Sequence, residues 1–207
     1  MPGHPGERQP GNNPQFPRYK KVEFAPYQGG KSNFPTWDVF TVFSSFPETY
    51  SLLSIKASRP TGARGEVRRA ILGTVAQWKE GKPTPHAEAA KILVQDFLSS
   101  GVRHVEWTPV VDTLRGEQQE LGEVNELTAF TYHLFSNTNW RPIVQGAETL
   151  VDADTTLQNW IEEHCRTWAD SPDARKYEGS VGKFANKVLA IYFDAVDWQS
   201  VTEKFKG

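Results

Sequence analysis

Hydrophobic residues recur three and four positions apart along most of the chain, the spacing that places side chains on one face of an α-helix. The longest regular stretch follows Asp154, which we expect to act as a helix N-cap. Its apolar face consists of Leu157, Trp160, Ile161, His164, Cys165 and Trp168. A helix that starts at Pro85, with Thr84 as its N-cap, and ends at Gly101 is apolar on nearly every side, which predicts a position at the centre of the core. The alternation typical of strands is weak and confined to residues 19–24. The pattern therefore predicts an all-α fold.

The first helix is predicted to begin at Thr36. A threonine side chain can accept a hydrogen bond from an amide of the first turn, and Pro35 disfavours helical geometry at the residue before it. Trp37, Phe40 and Phe43 then fall on one face of the helix. We therefore expect this helix to pack with its start directed towards the core.

The region around this helix occurs twice in the chain. Residues 33–45 share Asn, Thr, Phe and Ser positions with residues 125–137. Further matches follow in the same order at nearly the same offset, namely Trp78 with Trp168, Phe97 with Phe193, and Val105-Glu106-Trp107 with Val196-Asp197-Trp198. Such self-similarity indicates an internal duplication, although two unrelated helical halves with similar helix starts would also produce short matches. We predict two tandem, pseudo-symmetric helical repeats at residues 32–114 and 124–207, joined by residues 115–123.

Residues 1–31 differ in composition from the rest of the chain. They contain six Pro and five Gly, and the first seventeen have almost no apolar side chain to bury. This composition predicts a disordered arm, although residues 19–24 could instead lie on the domain as a short extended segment. The arm carries five Lys or Arg against two acids, whereas residues 112–207 carry nine against sixteen. The chain therefore has a basic front and an acidic back half.

Several protein classes find no support in the sequence. No apolar run reaches the roughly 18 residues that a membrane span needs, and the N-terminus lacks the apolar region of a signal peptide. The single cysteine, Cys165, cannot form an intrachain disulfide, which fits a reducing environment. We expect a cytoplasmic protein with no membrane contact.

The sequence contains no recognisable catalytic constellation. His164 and Cys165 are adjacent, so on a helix they point about 100° apart and cannot pair as base and nucleophile. One cysteine and five scattered histidines supply no zinc-binding pattern. A nucleophile elbow, a phosphate-binding loop and a dinucleotide fingerprint are also missing. We therefore expect no enzymatic activity, no metal and no cofactor.

Two motifs carry a resemblance to a known domain family. Asn33-x-x-Thr36-Trp37 near the start and Val196-Asp197-Trp198-x-x-Val201 near the end resemble a small domain found in phages, plasmids and their bacterial hosts. The chain resembles two diverged copies of it, and the second copy departs from the motif because Ala129 stands where tryptophan is expected. The resemblance implies a mobile-element context rather than a particular reaction.

Two sets of residues are candidates for binding. A protein partner could contact the motif regions and the tryptophans that follow acidic helix starts, because tryptophan is enriched at binding hot spots. This set is Asn33, Thr36, Trp37, Trp107 and Trp198. Nucleic acid could contact the basic arm and a cluster of cations with only Glu66 opposing it. This set is Lys56, Arg59, Arg64, Arg68 and Arg69. The tryptophans could equally seal the ends of the core, and the cations could form a solvated turn.

A third charge feature lies between the predicted repeats. Glu117, Glu120, Glu123 and Glu126 recur every three residues, and an acidic face of this kind could imitate the phosphates of DNA.

The expected function is a non-enzymatic accessory or protein-interaction protein of a mobile element or its host. The alternatives are nucleic-acid binding through the basic arm and the Arg59–Arg69 turn, and inhibition of a host defence system.

Overall fold

The computed structural model describes residues 19–117, 119–136, 150–171 and 179–207. Within these ranges the chain forms nine α-helices and no β-strand, which confirms the predicted all-α fold. The helices are α1 Phe34–Ser44, α2 Pro47–Ala57, α3 Ala63–Lys79, α4 Ala87–His104, α5 Trp107–Arg115, α6 Glu126–Ser136, α7 Leu150–Asp170, α8 Ser180–Asp194 and α9 Trp198–Lys206. The sequence also predicts a helix after Asn139, a candidate N-cap before Trp140, and this stretch lies outside the described residues.

Helix α4 is the element around which the others pack. It contacts α1, α3, α7 and α8, and its buried residues are Ala89, Ala90, Leu93, Val94, Phe97, Leu98, Gly101 and Val102. These residues cover most of the helix circumference, as the sequence predicts. One continuous cluster of buried apolar side chains runs through both halves of the chain.

Three helix starts differ from the predictions, and that of α4 lies at Ala87 rather than at Pro85. Helix α1 begins at Phe34, and its N-cap is Asn33, whose Oδ1 accepts a hydrogen bond from the Thr36 amide at 3.0 Å. Pro35 lies inside the first turn, where its missing N–H costs nothing because amides there have no intrahelical acceptor. Helix α7 begins at Leu150, so Asp154 lies inside it and is not its cap. The Asp154 carboxylate instead accepts a hydrogen bond from the Thr108 hydroxyl at 2.6 Å.

Residues 19–31 lie against the helices. The Lys20 amide donates to the Val124 carbonyl at 3.2 Å, and the Lys20 carbonyl accepts from the Glu126 amide at 2.7 Å. Val22 and Phe24 pack on the core. Because these contacts bury apolar side chains, the disorder predicted for residues 1–31 does not extend over residues 19–31. The extended-segment alternative holds for residues 19–24, and Tyr27–Gly29 form a short 3-10 helix. Residues 1–18 lie outside the described part of the chain.

The two halves of the chain exchange their last helices. Helix α9, at the end of the second half, packs against α1, α2 and α3 of the first half. Helix α5, at the end of the first half, packs against α6 and α7 of the second half. Trp78 and Trp168 meet with their ring centroids 6.2 Å apart, and Phe97 and Phe193 meet at 5.3 Å. Two of the residue pairs found by the sequence comparison therefore contact each other between the halves.

Each exchanged helix is held at its start by the same set of hydrogen bonds, which we call a clasp. In the first clasp the Asp197 amide donates to the Thr36 hydroxyl at 2.8 Å, and the Asn33 side-chain amide donates to the Ala195 carbonyl at 2.9 Å. The same Asn33 side chain caps α1. Thr36 is 1% exposed, so the clasp lies at the edge of the core.

The second clasp repeats these bonds in the other half. The Glu106 amide donates to the Thr128 hydroxyl at 2.9 Å, and the Asn125 side-chain amide donates to the His104 carbonyl at 2.8 Å. Asn125 Oδ1 accepts from the Thr128 amide at 2.9 Å, as Asn33 does for Thr36. A duplication would produce this recurrence, and the two-repeat organisation stays a prediction.

Candidate functional site

Two of the residues predicted to bind a partner have their polar atoms engaged within the fold. The Asn33 and Thr36 side chains form the first clasp, and Thr36 is buried. These bonds use Oδ1 and one N–H of the Asn33 side chain and the hydroxyl oxygen of Thr36. The Asn-x-x-Thr motif therefore joins the start of α1 to the start of α9.

The two tryptophans that follow acidic residues occupy different environments. Trp107 is 7% exposed and donates its Nε1–H to the Val102 carbonyl at 3.2 Å. It therefore seals the core, the structural alternative considered for it. Trp198 is half-buried and lies nearly parallel to Phe193, with ring centroids 6.4 Å apart. Part of Trp198 therefore remains open to solvent.

Trp198 lies in a groove between the start of α3 and helix α9, which we call the basic groove. Its volume is about 830 Å³. The charged residues that line it are Arg59, Arg64, Arg68, Arg69, Asp197 and Lys206. The structure therefore brings together four of the five predicted cations. Lys56 does not line the groove, and Lys206 is a contributor that the sequence did not reveal because it lies 137 positions after Arg69.

The charges of the basic groove are only partly neutralised. Glu66 is shared by Lys56 at 3.6 Å, Arg59 at 3.5 Å and Arg69 at 3.5 Å, so one carboxylate faces three cations. Arg64 and Arg68 are exposed, and neither forms an ion pair with any residue in the described ranges. The local charge is therefore positive although the whole chain carries −2.

Asp197 is the acidic residue in the groove, and its carboxylate is held in place by the helix that it caps. Oδ1 accepts hydrogen bonds from the Gln199 amide at 3.0 Å and the Ser200 amide at 3.1 Å, and Oδ2 accepts from the Ser200 hydroxyl at 2.6 Å. The bonds from Ser200, with a further contribution from the nearby Arg64 cation, lower the pKa of Asp197. This carboxylate is therefore engaged with α9 and offsets the arginines only in part.

The backbone at the start of α3 adds to the positive character of the groove. Gly62 has a φ of 73°, a left-handed conformation that favours glycine, and no side chain caps the helix. The first amides of a helix point outward and carry the positive end of its dipole. This 17-residue helix therefore directs its positive end at the groove that its arginines line.

The lysines of the N-terminal segment lie elsewhere. Lys20 pairs with Glu123 at 3.0 Å and Lys21 with Glu126 at 3.3 Å. These two lysines therefore do not line the basic groove, because they pair with acids near α6. Nucleic-acid binding through the arm and the Arg59–Arg69 turn stays a prediction. The arm residues before Tyr19 lie outside the described chain.

The acidic run between the halves is used mainly for ion pairs. Glu117 binds Arg115 at 2.9 Å, and Glu126 also contacts Lys187 at 3.3 Å. With the Lys20–Glu123 pair, three of the four glutamates have a cationic partner. Such pairing weakens the resemblance of this run to a row of DNA phosphates.

His164 and Cys165 do not form a reactive pair. The His164 ring stacks on Trp160, with its Nδ1 2.8 Å from the Trp160 carbonyl oxygen. Cys165 is 3% exposed, and burial raises the pKa of its thiol to about 12. In the described ranges no cluster of metal-ligating side chains occurs, and no helix is long and apolar enough to cross a membrane.

A second cavity, of about 770 Å³, lies beside α1, and we call it the aromatic cavity. It is lined by rings of the N-terminal segment and α1, including Tyr27, Phe34 and Trp37, and by side chains of α1 and α4, including Asp38 and Asp96. Trp37 is half-buried there, with its ring centroid 4.7 Å from that of Tyr27. The structure thus places Trp37 at a cavity rather than wholly in the core.

Comparisons of the chain with protein-family models, with curated proteins and with solved structures gave no match. The function is therefore inferred from the two cavities and their charges.

Proposed function

We propose that this protein is a non-enzymatic nucleic-acid-binding protein whose basic groove holds the phosphate backbone. The observation that carries the proposal is the pair Arg64 and Arg68, two exposed cations without ion-pair partners in the described chain, at the open end of helix α3. Exposed arginines without ion-pair partners at a helix start are suited to phosphate, because guanidinium groups and backbone amides can bind the same anion.

The size and composition of the groove favour a polymer over a single small anion. Its cations come from the Arg59–Arg69 turn and from α9, so they can contact successive phosphates. The half-exposed Trp198 ring lies in the same groove. Aromatic rings beside arginines bind single strands by stacking on unpaired bases. We therefore expect single-stranded nucleic acid to bind at least as well as a duplex.

The biological context remains part of the proposal. An accessory role in a mobile genetic element or its host rests on the resemblance of the two short motifs to a phage- and plasmid-associated domain. Binding of nucleic acid would suit such a role in replication, packaging or regulation. The protein-interaction and defence-inhibitor hypotheses lack a described surface of comparable strength, since the Asn33 and Thr36 side chains and three of the four glutamates are engaged internally.

The test is fluorescence anisotropy of a labelled single-stranded DNA and its duplex, titrated with the protein at several salt concentrations. We expect micromolar or weaker binding at low salt that falls steeply as salt rises, because each phosphate contact releases counterions. Changing Arg64→Glu and Arg68→Glu together should abolish binding. The milder pair Arg64→Gln and Arg68→Gln should lower the salt slope by about two.

The matched control is Arg166→Glu with Lys183→Glu, which changes net charge by the same amount. Both residues are exposed and lie on α7 and α8, away from the lining of the basic groove. Binding should survive this change. Absence of binding at low salt, or equal losses in the two double variants, would overturn the proposal.

A further inference from the structure

Asp38 carries a buried carboxyl group, one oxygen of which has no hydrogen-bond partner in the described part of the chain. It is 3% exposed, and its Oδ2 atom is enclosed without any donor in reach among the described residues. An unpartnered polar atom of this kind is rare because it loses its hydration without compensation. Asp38 lines the aromatic cavity, which is open to solvent, so a ligand could supply the missing partner.

A second carboxyl group lines the same cavity from another helix. Asp96 of α4 is half-buried, and it forms no ion pair with another residue in the described ranges. Burial raises the pKa of Asp38 to about 8, and the neighbouring Asp96 charge adds to this effect. Burial also raises the pKa of Asp96. Neither carboxyl group has a cationic partner among the described residues, so the pair offers negative charge to a ligand.

The rest of the cavity wall near these carboxyl groups is aromatic. The Tyr27 ring centroid lies 5.1 Å from that of Phe34 and 4.7 Å from that of Trp37. Faces of aromatic rings attract cations through their quadrupole, and tryptophan does so most strongly. Carboxylates together with such rings form the surroundings that recognise an organic ammonium group with an apolar body.

The remaining charged or titratable groups at the cavity lie on the last turn of α4. Arg103 is exposed and His104 is half-buried, with its Nδ1 2.9 Å from the Tyr192 hydroxyl and 3.0 Å from the Ser100 carbonyl. His104 is therefore engaged with its neighbours. Arg103 forms no ion pair with a described residue, so it does not neutralise Asp38.

We propose that the aromatic cavity binds an organic cation, a primary ammonium or guanidinium group that pairs with Asp38 and Asp96 while its apolar part packs against Tyr27, Phe34 and Trp37. The cavity volume of about 770 Å³ falls within the range of small-molecule sites. An anion would meet two carboxyl groups. A metal ion would need several clustered ligands, and no such cluster occurs in the described chain. The cation can come from a free amine or from a lysine side chain of another protein.

The test uses isothermal titration calorimetry with three probes that share one ring. These are 2-phenylethylammonium, the neutral 2-phenylethanol and the anion phenylacetate. A blocked Gly-Lys-Gly peptide forms a further arm, which separates a protein side chain from a free amine. We expect binding by the ammonium probe, by the lysine peptide or by both, with phenylethanol weaker by about tenfold or more and no binding of phenylacetate.

Asp38→Asn should weaken cation binding by about tenfold or more, because it removes the charge and keeps the shape of the side chain. Asp96→Asn should weaken it less, and Asp194→Asn, an exposed carboxyl group outside the cavity, should leave it unchanged. Binding to the unaltered protein should also strengthen as pH rises from about 6 to about 9, where the amine remains protonated and Asp38 becomes ionised.

The proton that Asp38 loses gives an independent readout. Near neutral pH, calorimetry in two buffers of different ionisation enthalpy should show proton release on binding, and Asp38→Asn should remove it. Circular dichroism verifies that each variant is folded. No binding by either cation, equal binding of phenylethanol, or unchanged affinity in folded Asp38→Asn protein would overturn the proposal.

Discussion

Asp38 places a carboxyl group in a buried position, where ionisation of the group lowers the stability of the folded protein. Its side chain is enclosed by α1 and α4 and lacks a hydrogen-bond partner for Oδ2. Burial, with the Asp96 charge, raises the pKa of Asp38 to about 8. Residues that lower the stability of the unliganded protein are common in binding sites, where they are kept because they contact the ligand.

The stability of the protein should therefore depend on pH through Asp38. The folded state holds the proton more tightly than the unfolded state, so the stabilising contribution is complete below about pH 4 and is lost as pH rises through about 8. We expect Asp38→Asn to raise the free energy of unfolding relative to the unaltered protein by about 4 kcal/mol near pH 7. The difference should shrink towards zero near pH 4.

Urea unfolding followed by circular dichroism at several pH values measures this difference. Asp194→Asn is the control, because it replaces a carboxyl group by an amide in the same way at an exposed position on α8. A difference between Asp38→Asn and the unaltered protein that stays constant from about pH 4 to about pH 8 would contradict the assignment.

The clasp residues illustrate how far single positions can be interpreted from sequence. The Asn-x-x-Thr motif can be seen in the chain, and its helix-capping chemistry follows from residue type. Its partners cannot be seen, because Asn33 and Ala195 are 162 positions apart and the bond is to a backbone carbonyl. The motif therefore indicates that Asn33 and Thr36 are important. The sequence alone favours a partner protein as the group that they contact, because their bonds within the chain cannot be seen in it.

The crossing of α4 and α8 is a close approach between helices from the two halves. A Cβ atom on Gly101 would lie 2.5 Å from Cγ1 and 2.8 Å from Cγ2 of Val188, distances at which something must move. Gly73, in the middle of α3, has nothing within 4 Å of the same position. The two glycines therefore form a matched pair for testing the crossing.

Replacing each glycine by alanine should have opposite effects on stability. Gly73→Ala should stabilise the protein by about 0.5–1 kcal/mol, because alanine is the better helix former. Gly101→Ala should destabilise it by about 1–3 kcal/mol, because overpacking against Val188 outweighs the helix propensity. Thermal unfolding measures both changes.

Removing the Val188 methyl groups supplies the control for this prediction, because they are the atoms that the added methyl group of Gly101→Ala would meet. Val188→Ala should be less harmful when combined with Gly101→Ala than when made alone, since the two changes compensate in volume. Stabilisation by Gly101→Ala comparable to that of Gly73→Ala would show that α4 and α8 are not so closely packed.

Helices were the most predictable elements because their signals are local. The apolar spacing identified the central position of α4 and the amphipathic α7. The start of α7 was misplaced because Asp154 has the chemistry of a cap, yet its side chain is bonded to Thr108 of α5. Which helix a side chain bonds is set by the packing, and spacing along the chain does not encode it.

At the scale of the whole molecule, neither half is complete by itself. The apolar faces of α1, α2 and α3 are covered by α9, and those of α6 and α7 by α5. The hydrophobic pattern shows that each helix has an apolar face to bury, but it does not identify the helix that packs against that face. The exchange could therefore not be predicted, nor could the aromatic cavity, whose two carboxyl groups are 58 positions apart.

Separating the halves should test this interdependence. We expect fragments comprising residues 19–117 and 118–207 to be largely unfolded alone. Each fragment loses the contacts that α5 makes with the second half and that α9 makes with the first half. Mixed in equal amounts, they should regain helical content and a cooperative thermal transition, both measured by circular dichroism. A fragment that melts cooperatively alone, at the temperature of the intact protein, would contradict the exchange.

The clasp between α1 and α9 also fixes an order of events during synthesis. Asn33 and Thr36 leave the ribosome long before Ala195 and Asp197 exist to bond them. The part of α1 that packs against α9 therefore stays uncovered while about 160 further residues are made, although α2 and α4 are already available to cover the rest. Until α9 is made, the nascent chain exposes at α1 a surface suited to chaperones or to a neighbouring nascent chain.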